Sequence, residues 1–303
     1  MTAPGAAARG FACYRRPLGW AFNLLVLAYA VRELVRLGIG DVLHSLPVQP
    51  AFYLVYLLQF AATPLSERLL FRLTWPDQPR IPWLVLVRKR VMNAVLLSYS
   101  GEVWFVLWAR AHLTLSARWI AATVKDSSIV SGIALAVGSI LLAAWAMTTA
   151  RGAVIADSVA EHIRIILVVA IGAACTIPIL YRWRRRIFAL PGPMLAGLFA
   201  LHSVRLAVTL ALQALQWMVV MPQVGFDVWL LFLTVQLLVI QIPLVPNADL
   251  LFLAVGVRLT ADLGVARADL AALLLATTVF KQMVNLACLA LTSVTTPAGR
   301  RAA

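Results

Sequence analysis

Four ionisable residues lie inside stretches that otherwise have the composition of membrane-buried helices: Glu102, Arg205, Asp249 and Lys281. A lone charge at bilayer depth costs roughly 2.5–3.5 kcal/mol on insertion scales, so such residues usually pair with one another or line a substrate path. Arg can bind a phosphate through two parallel hydrogen bonds, whereas Lys acts as a point charge. The residue types therefore predict recognition of a charged group within the membrane.

Two motifs surround the acidic members of this set. The first contains Asn93, then Ser98-Tyr99-Ser100-Gly101-Glu102, then Arg110. Gly101 permits a tight turn or a close approach of another backbone. The second contains Pro243 and Pro246, followed by Asn247 and Asp249. Proline removes a backbone donor and disfavours helix in the residue before it, so both motifs predict interruptions of helix.

Each feature also has a purely structural interpretation. Glu102 could form a buried salt bridge that joins two helices, and Asp249 could cap a helix that begins at the membrane surface. Arg205 and Lys281 could simply neutralise these two acids. Neutralisation and phosphate binding are compatible, since a lipid phosphate could exchange with an internal carboxylate.

Composition places these residues in a membrane protein. The chain of 303 residues is 62% hydrophobic and only 13% charged, against about 45–50% and 25% in soluble domains. Residues 127–150, 206–226 and 228–248 carry no Asp, Glu, Lys or Arg, and about 20 apolar residues suffice to cross a bilayer. The fold class predicted is all-α and polytopic. The net charge of +14 is then topological, and nucleic-acid binding is excluded because no basic soluble domain is present.

The apolar runs predict about six spans and two broken or re-entrant elements. The broken elements cover 83–109 and 228–255. We expect a disordered cytoplasmic tail over 1–16, one transmembrane domain over 17–292 with halves 17–150 and 164–292, and a tail over 293–303. The first span also fits a signal peptide, but further membrane helices follow it, which favours retention. The predicted spans are 17–35, 49–66, 128–150, 164–181, 193–220 and 269–292.

Charge distribution supports one topology. If both broken elements return to their starting side, most of the 26 basic residues face the cytoplasm, as the positive-inside rule requires. Both termini are then cytoplasmic, in a bacterial inner membrane. Three crossings per half invert the second half relative to the first, the arrangement that places a transporter's substrate site at the midplane. Full crossing by one broken element remains an alternative.

Other chemistries lack a signature in the sequence. Cys13, Cys175 and Cys288 are isolated, and the four histidines have no metal-ligand spacing. No catalytic triad, Walker loop or HExxH motif occurs. We therefore expect no enzyme activity, no metal and no cofactor.

The first motif resembles the Asn…Pro-x-Arg-x-Gly-Glu…Arg motif of the flippase-like family, the membrane region of lysylphosphatidylglycerol synthases and their stand-alone relatives. Pro243 to Pro246 with Gly256 resembles that family's second motif, and Lys281 falls where the family has a basic residue. The resemblance covers 65–292. The proline before Gly-Glu is absent, and Asn247-Ala248-Asp249 replaces the second motif's Gly-Gly run and Glu.

The resemblance implies transbilayer movement of an anionic phospholipid or of a lipid-linked sugar. The alternative is a non-transporting subunit that scaffolds a lipid-modifying or glycan-assembling enzyme, with a partner enzyme or a second copy of the chain. Motifs and charges together give the predicted substrate-binding residues: Asn93, Gly101, Glu102, Arg110, Arg205, Asn247, Asp249 and Lys281.

Overall fold

The computed structural model describes residues 46–96, 98–149, 182, 184–241, 252, 255–256 and 267–295. Within these ranges the regular structure is α-helical and no strand occurs. The helices are α1 (Pro50–Thr74), α2 (Trp83–Val95), α3 (Ser100–His112), α4 (Ala117–Met147), α5 (Arg184–Ile187), α6 (Gly192–Val220), α7 (Phe226–Ile240) and α8 (Arg267–Thr295).

Three helices in this described part are long and apolar enough to cross a membrane: α4, α6 and residues Ala268–Ser293 of α8. They coincide with predicted spans 128–150, 193–220 and 269–292, with α4 beginning eleven residues earlier. The predicted first span and the span over 164–181 lie outside the described residues. The described helices agree with a helical membrane protein, and the six-span arrangement stays a prediction.

α1 exposes several leucines, and it buries two polar side chains among its aromatic ones. Leu54 and Leu73 are 60% and 58% exposed, whereas Glu67 is 9% exposed and Ser66 is buried too. A buried glutamate is rare unless it is paired. α1 covers the predicted span 49–66 from Pro50 onward and continues to Thr74, so it includes Glu67. It is not among the three described helices that are long and apolar enough to cross a membrane. Its outer face is suited to lipid contact.

The first broken element is interrupted where the sequence predicts. α2 ends at Val95 and α3 begins at Ser100, with Tyr99 in the left-handed conformation at φ 69°. Asn93, late in α2, contacts Gly101, early in α3. Lys89, earlier in α2, contacts Phe105, later in α3. The two helices are therefore antiparallel. Each has 13 residues, about 20 Å at 1.5 Å per residue, which is short of the roughly 30 Å hydrocarbon core.

The chain divides into two compact units. The described residues of unit 1 are 77–96, 98–120 and 279–295, and its core includes Leu86, Val91 and Phe105. Unit 2 contains the other described residues. Its core contains fully buried Trp217 and Trp229, whose ring centroids are 5.5 Å apart. α7 ends at Ile240, and residues 242–251, which include the second predicted motif, lie outside the described residues.

We predict that Gly101→Ala separates α3 from α2. A Cβ at Gly101 would collide with the backbone carbonyl oxygen of Lys89 and with the Asn93 side chain. Overpacking of this kind costs about 1–3 kcal/mol, and here the obstacle is backbone, which cannot rotate away. Thermal unfolding in detergent, followed by tryptophan fluorescence, should show a lower midpoint.

Gly197→Ala is the matched control, because nothing lies within 4 Å of a Cβ at that position in α6. Alanine is favoured over glycine by about 1 kcal/mol in a helix interior, so its midpoint should rise or stay unchanged. Equal effects of the two substitutions would contradict the proposed close contact.

Candidate functional site

The turn between α2 and α3 in unit 1 is closed by the side chain of Asn93. Its Oδ1 accepts a hydrogen bond of 2.6 Å from the Gly101 backbone N–H. Ser100 Oγ donates to the Met92 carbonyl oxygen at 2.9 Å. The first N–H groups of a helix have no partner within the helix, and Asn93 satisfies one of them. Both predicted residues Asn93 and Gly101 thus serve the turn.

Glu102 pairs with Lys89 across the two helices. Lys89 Nζ lies 3.6 Å from Glu102 Oε1, and the side chains are 7% and 16% exposed. Lys89 Nζ also lies 5.7 Å from the centroid of the Phe105 ring. The structural interpretation of Glu102 as half of a helix-joining ion pair therefore has direct support. Lys89 was not among the predicted site residues.

A second basic residue of α2 contacts α8 in unit 1. The guanidinium of Arg88, which is 7% exposed, donates to the Thr292 carbonyl oxygen at 3.1 Å and lies 4.9 Å from the Trp104 ring centroid. Predicted residue Lys281 is half-buried on α8, and Asn285 one turn later is 2% exposed. Asn285 Oδ1 has no hydrogen-bond partner among the described residues.

Of the other predicted residues, Arg110 is described, whereas Asn247 and Asp249 are not. Arg110 is exposed near the end of α3. Asn247 and Asp249 lie outside the described residues. Convergence of Glu102, Arg205, Asp249 and Lys281 on one point stays a prediction.

In unit 2, α6 carries a polar stripe at helical spacing through an otherwise apolar sequence. Residues three and four apart lie on one face of a helix. Its members face α1, α4 and α7. We call this set the α6 polar stripe: His202, Arg205, Thr209, Gln213 and Gln216.

Glutamine side chains link the stripe to two neighbouring helices. Gln59 Nε2 on α1 donates to the Thr209 carbonyl oxygen at 3.2 Å and to Gln213 Oε1 at 3.1 Å. Gln213 Nε2 then donates to Gln236 Oε1 on α7 at 2.9 Å. Gln216, fully buried, donates to the Phe52 carbonyl oxygen at 3.3 Å. The amides thus form a chain across three helices.

The basic end of the stripe faces α4. Arg205 Nη2 donates to Ser131 Oγ at 2.9 Å, and Ser127 Oγ, one turn earlier on α4, shares a hydrogen bond of 3.2 Å with His202 Nε2. His202 is 3% exposed. The hydroxyl partner of Arg205 is neutral, so it orients the guanidinium without cancelling its charge.

The charge opposite Arg205 comes from α1. Gln59 contacts Gln213, and Phe52 contacts Gln216, so α1 and α6 are antiparallel. Glu67 lies about two turns after Gln59, so this register places it opposite Arg205. The Glu67 carboxylate interacts electrostatically with the Arg205 guanidinium. The acids predicted from the sequence to neutralise Arg205 were Glu102 and Asp249.

Sequence reasoning missed Gln59, Glu67 and most of the α6 polar stripe. The available signal was the three-and-four spacing of polar residues from His202 to Gln216 within an apolar helix. It also missed Asp126, which is fully buried and accepts backbone hydrogen bonds from Ala189 and Leu190 at 2.7 and 2.9 Å. Asp126 immediately precedes the uncharged run 127–150 in the sequence.

No protein-family model, curated protein or solved structure matches the chain. The resemblance of the Asn93–Arg110 motif to the flippase-like family therefore stays a prediction. Within the described residues, no group of three or more His, Cys, Asp or Glu side chains could hold a metal ion. The α6 polar stripe and the α2–α3 hairpin are the two candidate functional features of the described residues.

We predict that Lys89 and Glu102 are energetically coupled. Removing one member of a largely buried pair leaves the other charge poorly compensated, so Glu102→Gln and Lys89→Met should each lower stability. The double variant should recover part of the loss, because it leaves neither charge behind. A double-mutant cycle on unfolding free energies in detergent should give a coupling of about 0.5–3 kcal/mol, the range for residues in contact. Strict additivity would show that the ion pair is not formed.

Proposed function

We propose that this chain is a multi-pass protein of the bacterial inner membrane, with cytoplasmic termini, that translocates an anionic phospholipid or a lipid-linked sugar across the bilayer. The protein supplies a polar path and no covalent chemistry. The observation that carries the proposal is Arg205, a guanidinium in the middle of a candidate membrane-crossing helix whose hydrogen-bond partner is a neutral hydroxyl.

Arg205 has the capacity and position to bind a headgroup phosphate. A guanidinium has five N–H donors, and one of its nitrogens is engaged by Ser131. The residue is half-buried, so it retains access from one side. It lies about 20 Å from the start of α6 at 1.5 Å per residue, near the centre of a hydrocarbon core about 30 Å thick.

The rest of the α6 polar stripe supports movement of a polar group along the helix. Thr209 and Gln213 follow Arg205 at intervals of one turn, and Gln59 and Gln236 extend the polar surface sideways. An amide side chain both donates and accepts hydrogen bonds. Headgroup oxygens leaving Arg205 would therefore find successive partners in place of water, while the acyl chains stay in lipid beside exposed residues such as Leu54.

The predicted residues outside the stripe take supporting roles in this proposal. Asn93, Gly101 and Glu102 hold the short α2–α3 hairpin, which is suited to enter and leave the membrane on one side. Arg110, exposed at the end of α3, would attract anionic headgroups at the surface. Lys281, Asn247 and Asp249 remain proposed contacts of the headgroup.

The scaffold function remains the second candidate, because one observation favours it. The charges that suggested transport have partners inside the protein: Lys89 with Glu102, and Glu67 opposite Arg205. A membrane subunit that only holds a lipid-modifying or glycan-assembling enzyme would need no more than such internal neutralisation. Stable co-purification with an enzyme, together with no lipid movement by the purified chain, would identify this function.

We predict that Arg205→Gln slows lipid translocation at least tenfold. A hydrogen bond to a charged group contributes about 1.5–3 kcal/mol, and every 1.4 kcal/mol is a factor of ten. The measurement is the rate at which fluorescent phosphatidylglycerol in the inner leaflet of proteoliposomes becomes accessible to dithionite. Arg205→Lys should retain part of the activity, because it keeps the charge but loses the two-pronged geometry.

Arg118→Gln is the matched control, since Arg118 is exposed at the start of α4. Its rate should equal that of the unmodified chain. An Arg205→Gln variant of normal thermal stability and undiminished rate would overturn the assigned role of Arg205. An unmodified chain that moves no lipid in this assay would support the scaffold function.

A further inference from the structure

The outer face of α1 carries a row of leucines at helical spacing. Residues separated by four or seven positions lie on one face of a helix. We call this set, whose side chains are each between 46% and 60% exposed, the α1 leucine row: Leu54, Leu58, Leu65 and Leu69. The side chains through which α1 contacts α6 lie on the other side of the helix, where Phe52 is fully buried and Glu67 is 9% exposed.

Two arginines continue the same face at its C-terminal end. Arg68 lies three residues after Leu65, and Arg72 lies four residues after Arg68, so these side chains are neighbours on the helix surface. Both arginines are exposed. The acid of α1 is Glu67, which is buried on the opposite side. α1 therefore presents two cationic side chains at the end of an apolar row, and its own carboxylate faces away from them.

The pair of arginines is suited to hold one phosphate. Side chains four residues apart on a helix have Cβ atoms about 5–6 Å apart, and like charges at this spacing repel each other. An anion between Arg68 and Arg72 would replace that repulsion by two attractions. Each guanidinium has five N–H donors and can bind phosphate oxygens through two parallel hydrogen bonds.

The length of the row identifies the anion as a lipid. Arg68 follows Leu58 by ten residues, which is about 15 Å at 1.5 Å per residue. Half of a hydrocarbon core about 30 Å thick, the share of one leaflet, is the same length. A phospholipid whose phosphate lies between the arginines would therefore lay its acyl chains along the leucines. Removing exposed leucine surface from water is favourable, and a free anion would leave that surface uncovered.

We propose that the outer face of α1, from Leu58 to Arg72, is a binding site for one anionic phospholipid, which stays bound and is not itself transported. This inference goes beyond the proposed function and does not depend on translocation. α1 is not among the described helices that are long and apolar enough to cross a membrane. The bound lipid holds α1 at the edge of the bilayer, and α1 in turn holds Gln59 against α6.

The test is native mass spectrometry of the full-length chain in detergent, titrated with phosphatidylglycerol. A parallel titration uses phosphatidylcholine with the same acyl chains. All measurements use the Arg205→Gln background, which removes the phosphate contact proposed for α6. We expect one phosphatidylglycerol to bind more tightly than phosphatidylcholine, because its headgroup lacks a positive charge that the arginines would repel.

Two double variants test the two parts of the site. Replacement of both arginines, Arg68→Gln with Arg72→Gln, should weaken binding of phosphatidylglycerol at least tenfold, about what one charge-assisted hydrogen bond contributes. Leu65→Ala with Leu69→Ala should weaken it by a smaller factor, because the arginines remain. All four side chains are exposed, so both variants should fold.

The matched control removes two exposed arginines from unit 1, Arg80→Gln with Arg118→Gln. It changes the net charge by the same amount and should keep the affinity for phosphatidylglycerol. Inorganic phosphate at millimolar concentration should not displace the lipid, since it makes no contact with the leucines.

Several results would overturn the proposed site. Equal losses of affinity in the α1 variant and in the control would show general attraction to a basic protein. Displacement by inorganic phosphate would identify a site for free anions. Dimerisation of the chain that abolishes lipid binding would assign this face to a second copy. Because Arg205 is already replaced in every sample, failure of translocation would not change the result, and absence of lipid binding would leave translocation standing.

Discussion

A polar side chain in an apolar helical assembly must find its partners within the protein, because hydrocarbon offers none. This constraint explains the arrangement of the described helices. α1 turns Leu54 and Leu73 outward and Glu67 inward. Once Glu67 is inside, α6 has to present a compensating group, and the antiparallel register of the two helices brings Arg205 to that place.

The two units satisfy the constraint in different ways. In unit 1 the α2–α3 hairpin is a closed arrangement, in which Asn93 caps Gly101 and Lys89 pairs with Glu102. The missing side chain of Gly101 allows the close approach on which both contacts depend. In unit 2 the partners of the α6 polar stripe are mostly amides and hydroxyls, which can exchange one hydrogen-bond partner for another. The first arrangement is suited to hold a shape, and the second is suited to receive a moving polar group.

Local chemistry was sufficient to predict several features. Ser98, Tyr99, Ser100 and Gly101 interrupt an apolar run with residues that favour turns, and the structure ends α2 and begins α3 around them. Pro191, Gly192 and Pro193 mark the beginning of α6, whose observed start is Gly192. The C-terminal end of α1 was harder to predict from the sequence. Glu67 ends the apolar run in the sequence, yet α1 continues to Thr74 and buries this carboxylate.

The sequence by itself determined that the chain is helical and apolar enough for a membrane, where its first helical break falls, and that Arg205 is a costly residue in the middle of a long apolar helix. Those properties depend on composition and on neighbours in the chain. Only the tertiary structure decided which acid compensates which base. Lys89 lies beside Glu102, and Glu67 lies opposite Arg205. The energy of an ion pair depends on the distance between the two charged groups and on their burial. The register between the helices sets both, and no local run of residues determines that register.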